Sequence, residues 1–125
     1  MSDPFHAHGA FSWSELMTHD VEGAKKFYGA LFGWSLDPMP MATGTYWVAK
    51  ANGAPVGGIM AMPREMSPPA WGVYITVDNV DDTARQAIAL GGLVVVAPTD
   101  IPGVGRFCVI RDPQGAMVQA ITYAK

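Results

Sequence analysis

A single acid interrupts an apolar run near the start of the chain: Glu15 stands within Phe11-Ser12-Trp13-Ser14-Glu15-Leu16-Met17-Thr18. A carboxylate held among apolar neighbours can accept a hydrogen bond from a ligand, or take a proton as a general base if burial raises its pKa. On a partly exposed strand the same residue is only a solvated charge. His6 and His8 share one face of an extended segment, a spacing able to bind metal, although histidines near a terminus are commonly just mobile polar residues. His19 sits beside Asp20 and reads as part of a turn. Arg106 follows Pro102-Gly103-Val104-Gly105, where it could orient an anionic ligand or simply mark an exposed strand entry. Those glycines do not precede a helix, so they do not form a phosphate-binding loop. Arg111 precedes Asp112-Pro113 and reads as a local ion pair.

Around these polar groups lie residues suited to gripping a flat organic molecule. Trp13, Trp47, Tyr74 and Phe107, with Met17, Met60, Met62 and Met117, combine aromatic surface with adaptable thioethers. Each alone is as well explained by packing. Cys108, within Phe107-Cys108-Val109-Ile110, reads as a core filler; as the only cysteine it rules out an intramolecular disulfide or a cysteine metal cluster.

The elements that must position these residues come in two copies. Trp13-Ser14-Glu15-Leu16-Met17-Thr18-His19-Asp20 returns as Trp71-Gly72-Val73-Tyr74-Ile75-Thr76-Val77-Asp78, and Asn52-Gly53-Ala54-Pro55-Val56-Gly57-Gly58-Ile59 as Gln114-Gly115-Ala116-Met117-Val118-Gln119-Ala120-Ile121. In the first copy, alternation predicts a strand over Phe11–Thr18. Asp20 then caps a helix over Val21–Phe32, where Val21, Ala24, Phe27, Tyr28 and Leu31 recur at helical spacing until Gly33 stops it. Strands follow near Trp34–Asp37, Thr45–Ala49 and Val56–Met62. The second copy repeats the order: strand Trp71–Val77, helix Val80–Leu90 ending at Gly91-Gly92, then strands Leu93–Ala97, Arg106–Arg111 and Ala116–Thr122. Asp112-Pro113-Gln114-Gly115 forms a tight turn.

The chain therefore divides into an N-terminal arm (1–10), a first βαβββ module (11–62), a Pro-rich linker (63–70) and a second module (71–125), all within one structural domain. If each helix covers one side of its sheet, parity leaves Trp13, Glu15 and Met17 on the other side. Gly72, Tyr74 and Thr76 follow in the second module, with Met117, Gln119 and Ile121 on its last strand. Gly57 and Ile59 would join them unless a bulge at Gly57-Gly58 resets the parity.

Composition narrows the partners. The 125 residues carry a formal net charge of −3 with no run of Lys or Arg, which argues against nucleic acid or an anionic membrane surface. No stretch approaches the roughly 18 apolar residues of a membrane span. The N-terminus lacks the regions of a signal peptide, so a cytoplasmic setting is expected. A small organic ligand is the expected partner.

The paired modules, Phe27-Tyr28, Leu31-Phe32-Gly33-Trp34 and Asp112-Pro113-Gln114-Gly115-Ala116 resemble the vicinal oxygen chelate superfamily. That superfamily includes glyoxalase I, bleomycin-resistance proteins and extradiol dioxygenases, and its glyoxalase-like branch is the nearest in pattern. The resemblance covers nearly the whole chain after about residue 10. It implies an α+β fold, two tandem βαβββ modules curling into a cup-like mixed sheet with helices outside, and a homodimer. It also implies a divalent metal held by one ligand from each of four strands. Carried over, those positions fall at Trp13, Gly57, Gly72 and Gln119, and only Gln119 has a donor atom. A non-standard ion site would have to use Glu15 and Gln119, completed by water or by a histidine of the arm.

Two functional expectations follow. One is binding of an aromatic or amphipathic molecule by Trp13, Glu15, Met17, Trp47, Met60, Tyr74, Arg106, Phe107 and Gln119 without a metal. The other is an enzyme of the same superfamily, a lyase, isomerase or dioxygenase. It would depend on a metal at a non-standard site, or use Glu15 as general base without one.

Overall fold

The computed structural model describes residues 3–41, 44–62 and 68–124, so Pro63 to Ser67 of the expected linker lie outside the described residues. The chain is α+β, and its elements run β1 (Phe11–Thr18), α1 (Val21–Phe32), β2 (Ser35–Met41), β3 (Gly44–Ala51), β4 (Ala54–Ala61), β5 (Ala70–Thr76), α2 (Val80–Ala89), β6 (Leu93–Ile101), β7 (Gly105–Arg111) and β8 (Met117–Tyr123). One βαβββ unit thus follows another. By contacts the chain divides into residues 13–72 and residues 1–12 with 73–125, the cuts falling inside β1 and β5. No described helix is long and apolar enough to cross a membrane.

In the unit of residues 13–72 the strands lie in the order β2-β3-β4-β1. β1 runs parallel to β4, as a strand must when a helix and two further strands intervene, and the other pairs are antiparallel hairpins. Asp20 caps α1 by accepting from the Gly23 amide at 2.9 Å. Gly33 ends it at φ 72°, a left-handed conformation that glycine adopts without a Cβ penalty. β2 runs on past Asp37 through Pro38 and Pro40, where the sequence pattern alone suggests a turn. Two prolines two residues apart point their missing N–H groups the same way, so an edge strand can turn both away from its single neighbour, β3.

In the other unit the order is β5-β8-β7-β6, again with one parallel pair, β5 with β8. Asn79 caps α2 by accepting from the Asp82 amide. α2 buries Val80 and Ala84 against Val77, Cys108, Ile110 and Ala120, the core of this unit. The turn before β8 is held by the Asp112 carboxylate, which accepts from the amides of Gln114 and Ala116, both at 2.9 Å.

Residues 3–10 lie against β5 and β8. Gly9 and Ala10 bracket Thr76, the Gly9 amide donating to its carbonyl and its amide donating to the Ala10 carbonyl. The Thr76 hydroxyl donates to the Pro4 carbonyl at 2.7 Å, Phe5 packs edge-on against Tyr123, and the Ser12 and Tyr123 hydroxyls hydrogen-bond at 2.7 Å.

Candidate functional site

In the unit of residues 13–72, register divides the side chains between two faces. Glu15 stands opposite Gly58, Leu16 opposite Ile59, and Met17 opposite Met60. Trp47 also stands opposite Ile59, and Val48 opposite Gly58. Neighbours in register share a face, so Trp13, Glu15, Met17, Gly58 and Met60 lie together, and Leu16, Ile59 and Trp47 lie on the reverse, toward α1.

The first of these faces carries the chemistry. Glu15 is only 7 % exposed, which removes the reading of a solvated surface charge. Beside it the Trp13 indole Nε1 donates to the Tyr46 hydroxyl at 2.7 Å. Tyr46 is itself buried, and its ring lies over Gly58, where any Cβ would overlap it. Glycine at 58 is therefore what allows a phenol to lie beside the residue paired with Glu15. Tyr46 also walls a hollow of about 40 Å³ with Met41, Gly44, Thr45, Met60 and Ala61. Sequence reasoning missed Tyr46. Its parity opposite to Trp47 is visible in the sequence, but its neighbours depend on the β3–β4 register.

Trp47 is not on this face. The Lys25 ammonium of α1 lies 3.2 Å from its ring centroid, a cation–π contact on the helix side. Gly57 lies on the helix side as well, with its missing Cβ aimed at the Ser14 carbonyl oxygen 2.7 Å away. The pairing slips between Ala49 and Lys50, which stand opposite Gly57 and Pro55 and leave Val56 as the extra residue. The parity reset expected near Gly57-Gly58 is thus a bulge at Val56, and Gly58 is the residue that shares a face with Glu15. Along this helix side, Ser14, Tyr28, Phe32, Trp34, Val56, Gly57 and Trp71 line a cleft of about 260 Å³. Its neighbouring rings stand 5.3 to 6.0 Å apart and the Trp71 indole donates to the Tyr28 hydroxyl.

In the other unit, the face turned away from α2 carries Tyr74, Phe107 and Gln119. Tyr74 stands in register with Gln119 and its ring centroid is 6.4 Å from that of Phe107. The Gln119 amide nitrogen donates to the Val73 carbonyl at 3.0 Å. Arg106 is not with them. It lies on the α2 side, held by two contacts to Asp81 and one to Asp100, all at 3.0 to 3.1 Å. This guanidinium holds the Asp81 carboxyl below its usual range, and its own proton is bound more firmly than usual. Burial pushes the Cys108 thiol up, consistent with a core residue. His6 pairs with Asp3 in a short turn, and His8 accepts from the Asp78 amide, so both histidines take part in local structure.

The donor chemistry at the four positions carried over for a metal does not fit one. Trp13 offers only an N–H, which it spends on Tyr46; Gly57 and Gly72 offer no side chain, and Gln119 donates its amide to Val73. Among the described residues, no three of His, Cys, Asp or Glu stand together as a metal group.

Comparison with known proteins agrees with this architecture. The chain is 45 % identical over 114 residues to CFP32 of Mycobacterium bovis, a protein named as a glyoxylase; the match covers 90 % of this chain and 44 % of that protein. It is 30 % identical to the anthracycline biosynthesis protein DnrV of Streptomyces peucetius, covering 88 % of this chain and 46 % of that protein. The chain thus spans less than half the length of these curated relatives. Among solved structures, the methylmalonyl-CoA epimerase of Mycobacterium tuberculosis superposes with TM-score 0.67 at 16 % identity, over 94 % of this chain and 89 % of that one. A variant of the Streptomyces coelicolor enzyme, in complex with 2-nitronate-propionyl-CoA, gives 0.70 at 15 % identity, over 95 % and 100 %. At such identities the likeness is one of fold. The sequence model that matches residues 10–120 is decisive for family: the chain belongs to the Glyoxalase/Bleomycin resistance protein/Dioxygenase superfamily.

Proposed function

We propose that this chain binds a small organic molecule, aromatic or amphipathic, on the helix-free face around Glu15, and does so without the divalent metal that enzymes of the superfamily use. The observation that carries this reading is a carboxylate 7 % exposed among Trp13, Met17 and Met60, with Tyr46 beside it. Such a surface offers an apolar body its contacts and a polar group its hydrogen bonds, which is how small-molecule sites combine grip and orientation. A relative named for anthracycline biosynthesis is in keeping with an aromatic ligand. The reading includes Tyr74, Phe107 and Gln119 as ligand contacts on the corresponding face of the other unit. It also takes the protein to be a cytoplasmic homodimer.

The test is a pair of measurements on the same dialysed sample. Metal analysis is expected to find no stoichiometric Ni, Zn, Fe or Mn, and an uncharged aromatic probe such as N-phenyl-1-naphthylamine is expected to quench tryptophan emission saturably. One tightly bound transition metal per chain would overturn the metal-free reading, and an absence of saturable quenching would overturn the binding site.

A second reading uses the same face for proton transfer. The burial of Glu15 favours it, because a general base works inside a shielded site, within reach of the proton that it takes. Glu15→Gln would then abolish turnover of a substrate while leaving its affinity nearly intact. Parallel loss of both would leave binding alone.

A further inference from the structure

The two helices treat their apolar residues differently. α2 buries Val80 and Ala84 in the core of its unit, whereas no residue of α1 is fully buried. Phe27, Leu31 and Phe32 of α1 are each 57 to 59 % exposed. In the same unit, Phe27, Tyr28, Phe32, Trp34 and Trp71 form one continuous series of rings with neighbouring centroids 5.0 to 6.0 Å apart. Folding does not require this series. Counted from the caps Asp20 and Asn79, the α2 positions that match Phe27, Tyr28 and Phe32 hold Gln86, Ala87 and Gly91, and the second βαβββ unit forms without rings there.

Size and shape say what covers the patch. A large aromatic side chain can bury roughly 150–250 Å², so the exposed parts of Phe27, Leu31, Phe32, Val56 and Trp71 leave about 500 Å² of apolar surface open. A small ligand in the cleft of about 260 Å³ would leave Phe27 and Leu31 uncovered, because neither lines it. Two copies meeting here would cover about 1,000 Å² through these side chains alone, close to the roughly 1,200 Å² at which stable interfaces begin, before any rim is counted. The patch also carries both halves of a fit. Phe27 and Leu31, one helical turn apart, form a knob beside the cleft. A cavity of roughly 150 Å³ holds a benzene ring, so the cleft has room for that knob from another chain. Phe27 to Trp34, Pro55 to Gly58 and Ala70 to Gly72 hold no charged residue, so a two-fold pairing brings no like charges together at its centre.

We propose that this aromatic face of α1 is the surface on which a second copy of the chain docks, the Phe27–Leu31 knob of each copy entering the cleft of the other between Tyr28, Val56 and Trp71. This rests on the homodimer of the reading above and goes beyond it by naming the surface and the reciprocal fit. Such a pairing is isologous: each residue that inserts on one side receives on the other.

The experiment is sedimentation velocity of the full chain and of two variants. Wild-type protein is expected to be dimeric at about 50 µM. Phe27→Gln combined with Leu31→Gln removes the knob, and Val56→Arg closes the cleft. Each is expected to weaken the dimer at least roughly 100-fold, because a two-fold pair meets every substitution twice. An equimolar mixture of the two variants is expected to recover a dimer of intermediate affinity, since one knob still meets one open cleft. A purely structural role or a small-molecule site would not give that recovery. Should either variant fail to fold by circular dichroism, wild type carries the test: Trp34 and Trp71 lie in the patch, so tryptophan emission is expected to move to longer wavelength as dilution dissociates the dimer. A dimer that persists in either variant, a mixture that does not associate, or emission unchanged on dissociation would overturn the inference and leave the homodimer standing. A wild-type monomer at about 50 µM would overturn both.

Discussion

The hydrogen bond from Trp13 to Tyr46 joins β1 to β3 on the Glu15 face, and a double-mutant cycle measures it without any ligand. Tyr46→Phe removes one oxygen and keeps the ring over Gly58, leaving the indole N–H of half-buried Trp13 without the acceptor now at 2.7 Å. Leaving a buried donor unsatisfied costs about 1–3 kcal/mol, and partial exposure of Trp13 places the expected loss near the lower end, at about 1–2 kcal/mol. Trp13→Phe removes the donor together with some packing, for a comparable loss of about 1–2 kcal/mol. The double variant has no orphaned donor, so its loss should fall short of the sum by about 1 kcal/mol. For a chain of this length each kcal/mol moves Tm by roughly 3–6 °C, so the coupling is resolvable by urea and thermal unfolding followed by far-UV circular dichroism. Losses that add to within about 0.5 kcal/mol would show that the two side chains do not interact and would refute this contact.

Three other predictions address the surrounding structure. Val80→Ala, at a side chain of α2 that is 2 % exposed, should cost about 2–3 kcal/mol in urea unfolding through lost burial and a residual cavity; a loss under 1 kcal/mol would contradict the packing of α2. Asp81 titrates below its usual range because Arg106 bonds to it. Its contribution is therefore present above the unfolded carboxyl pKa of about 3.9 and lost as pH falls through the lower folded value. The stability gap between wild type and Asp81→Asn should close on acidification through that window, and a gap independent of pH would refute the pairing. Burial raises the Cys108 pKa, so the thiol favours the folded state fully below about pH 8.5, and that advantage disappears as pH rises through the folded value. Wild type should then lose stability at alkaline pH more steeply than Cys108→Ala, whereas parallel curves would mean that Cys108 is not shielded.

Much of the fold was legible because its signals are local. The alternation from Phe11 to Thr18, the cap at Asp20, the stop at Gly33 and the Asp112–Gly115 turn depend on residues within a few positions of one another, and the structure places each element there. The end of β2 was not legible: Pro38 and Pro40 read as a break, and only their place on an edge, beside β3 alone, accommodates them. Arg106 was ambiguous for a similar reason, since its partners Asp81 and Asp100 come from α2 and β6.

The candidate site divides the same way. That Glu15 shares a face with Trp13 and Met17 follows from the two-residue period of a strand, which the sequence alone determines. Which residues of β3 and β4 join that face does not, because a slip of one position exchanges the faces completely. The extra residue at Val56 turns Gly57 toward the helix and brings Gly58 opposite Glu15; the β3–β4 register sends Trp47 to Lys25 and lays Tyr46 over Gly58. The sequence by itself determined the repeated elements, the family and the absence of a suitable donor set at the usual metal positions. Only the tertiary structure decided that the buried acid is accompanied by a tyrosine, since that pairing arises from strand registry between segments about thirty residues apart.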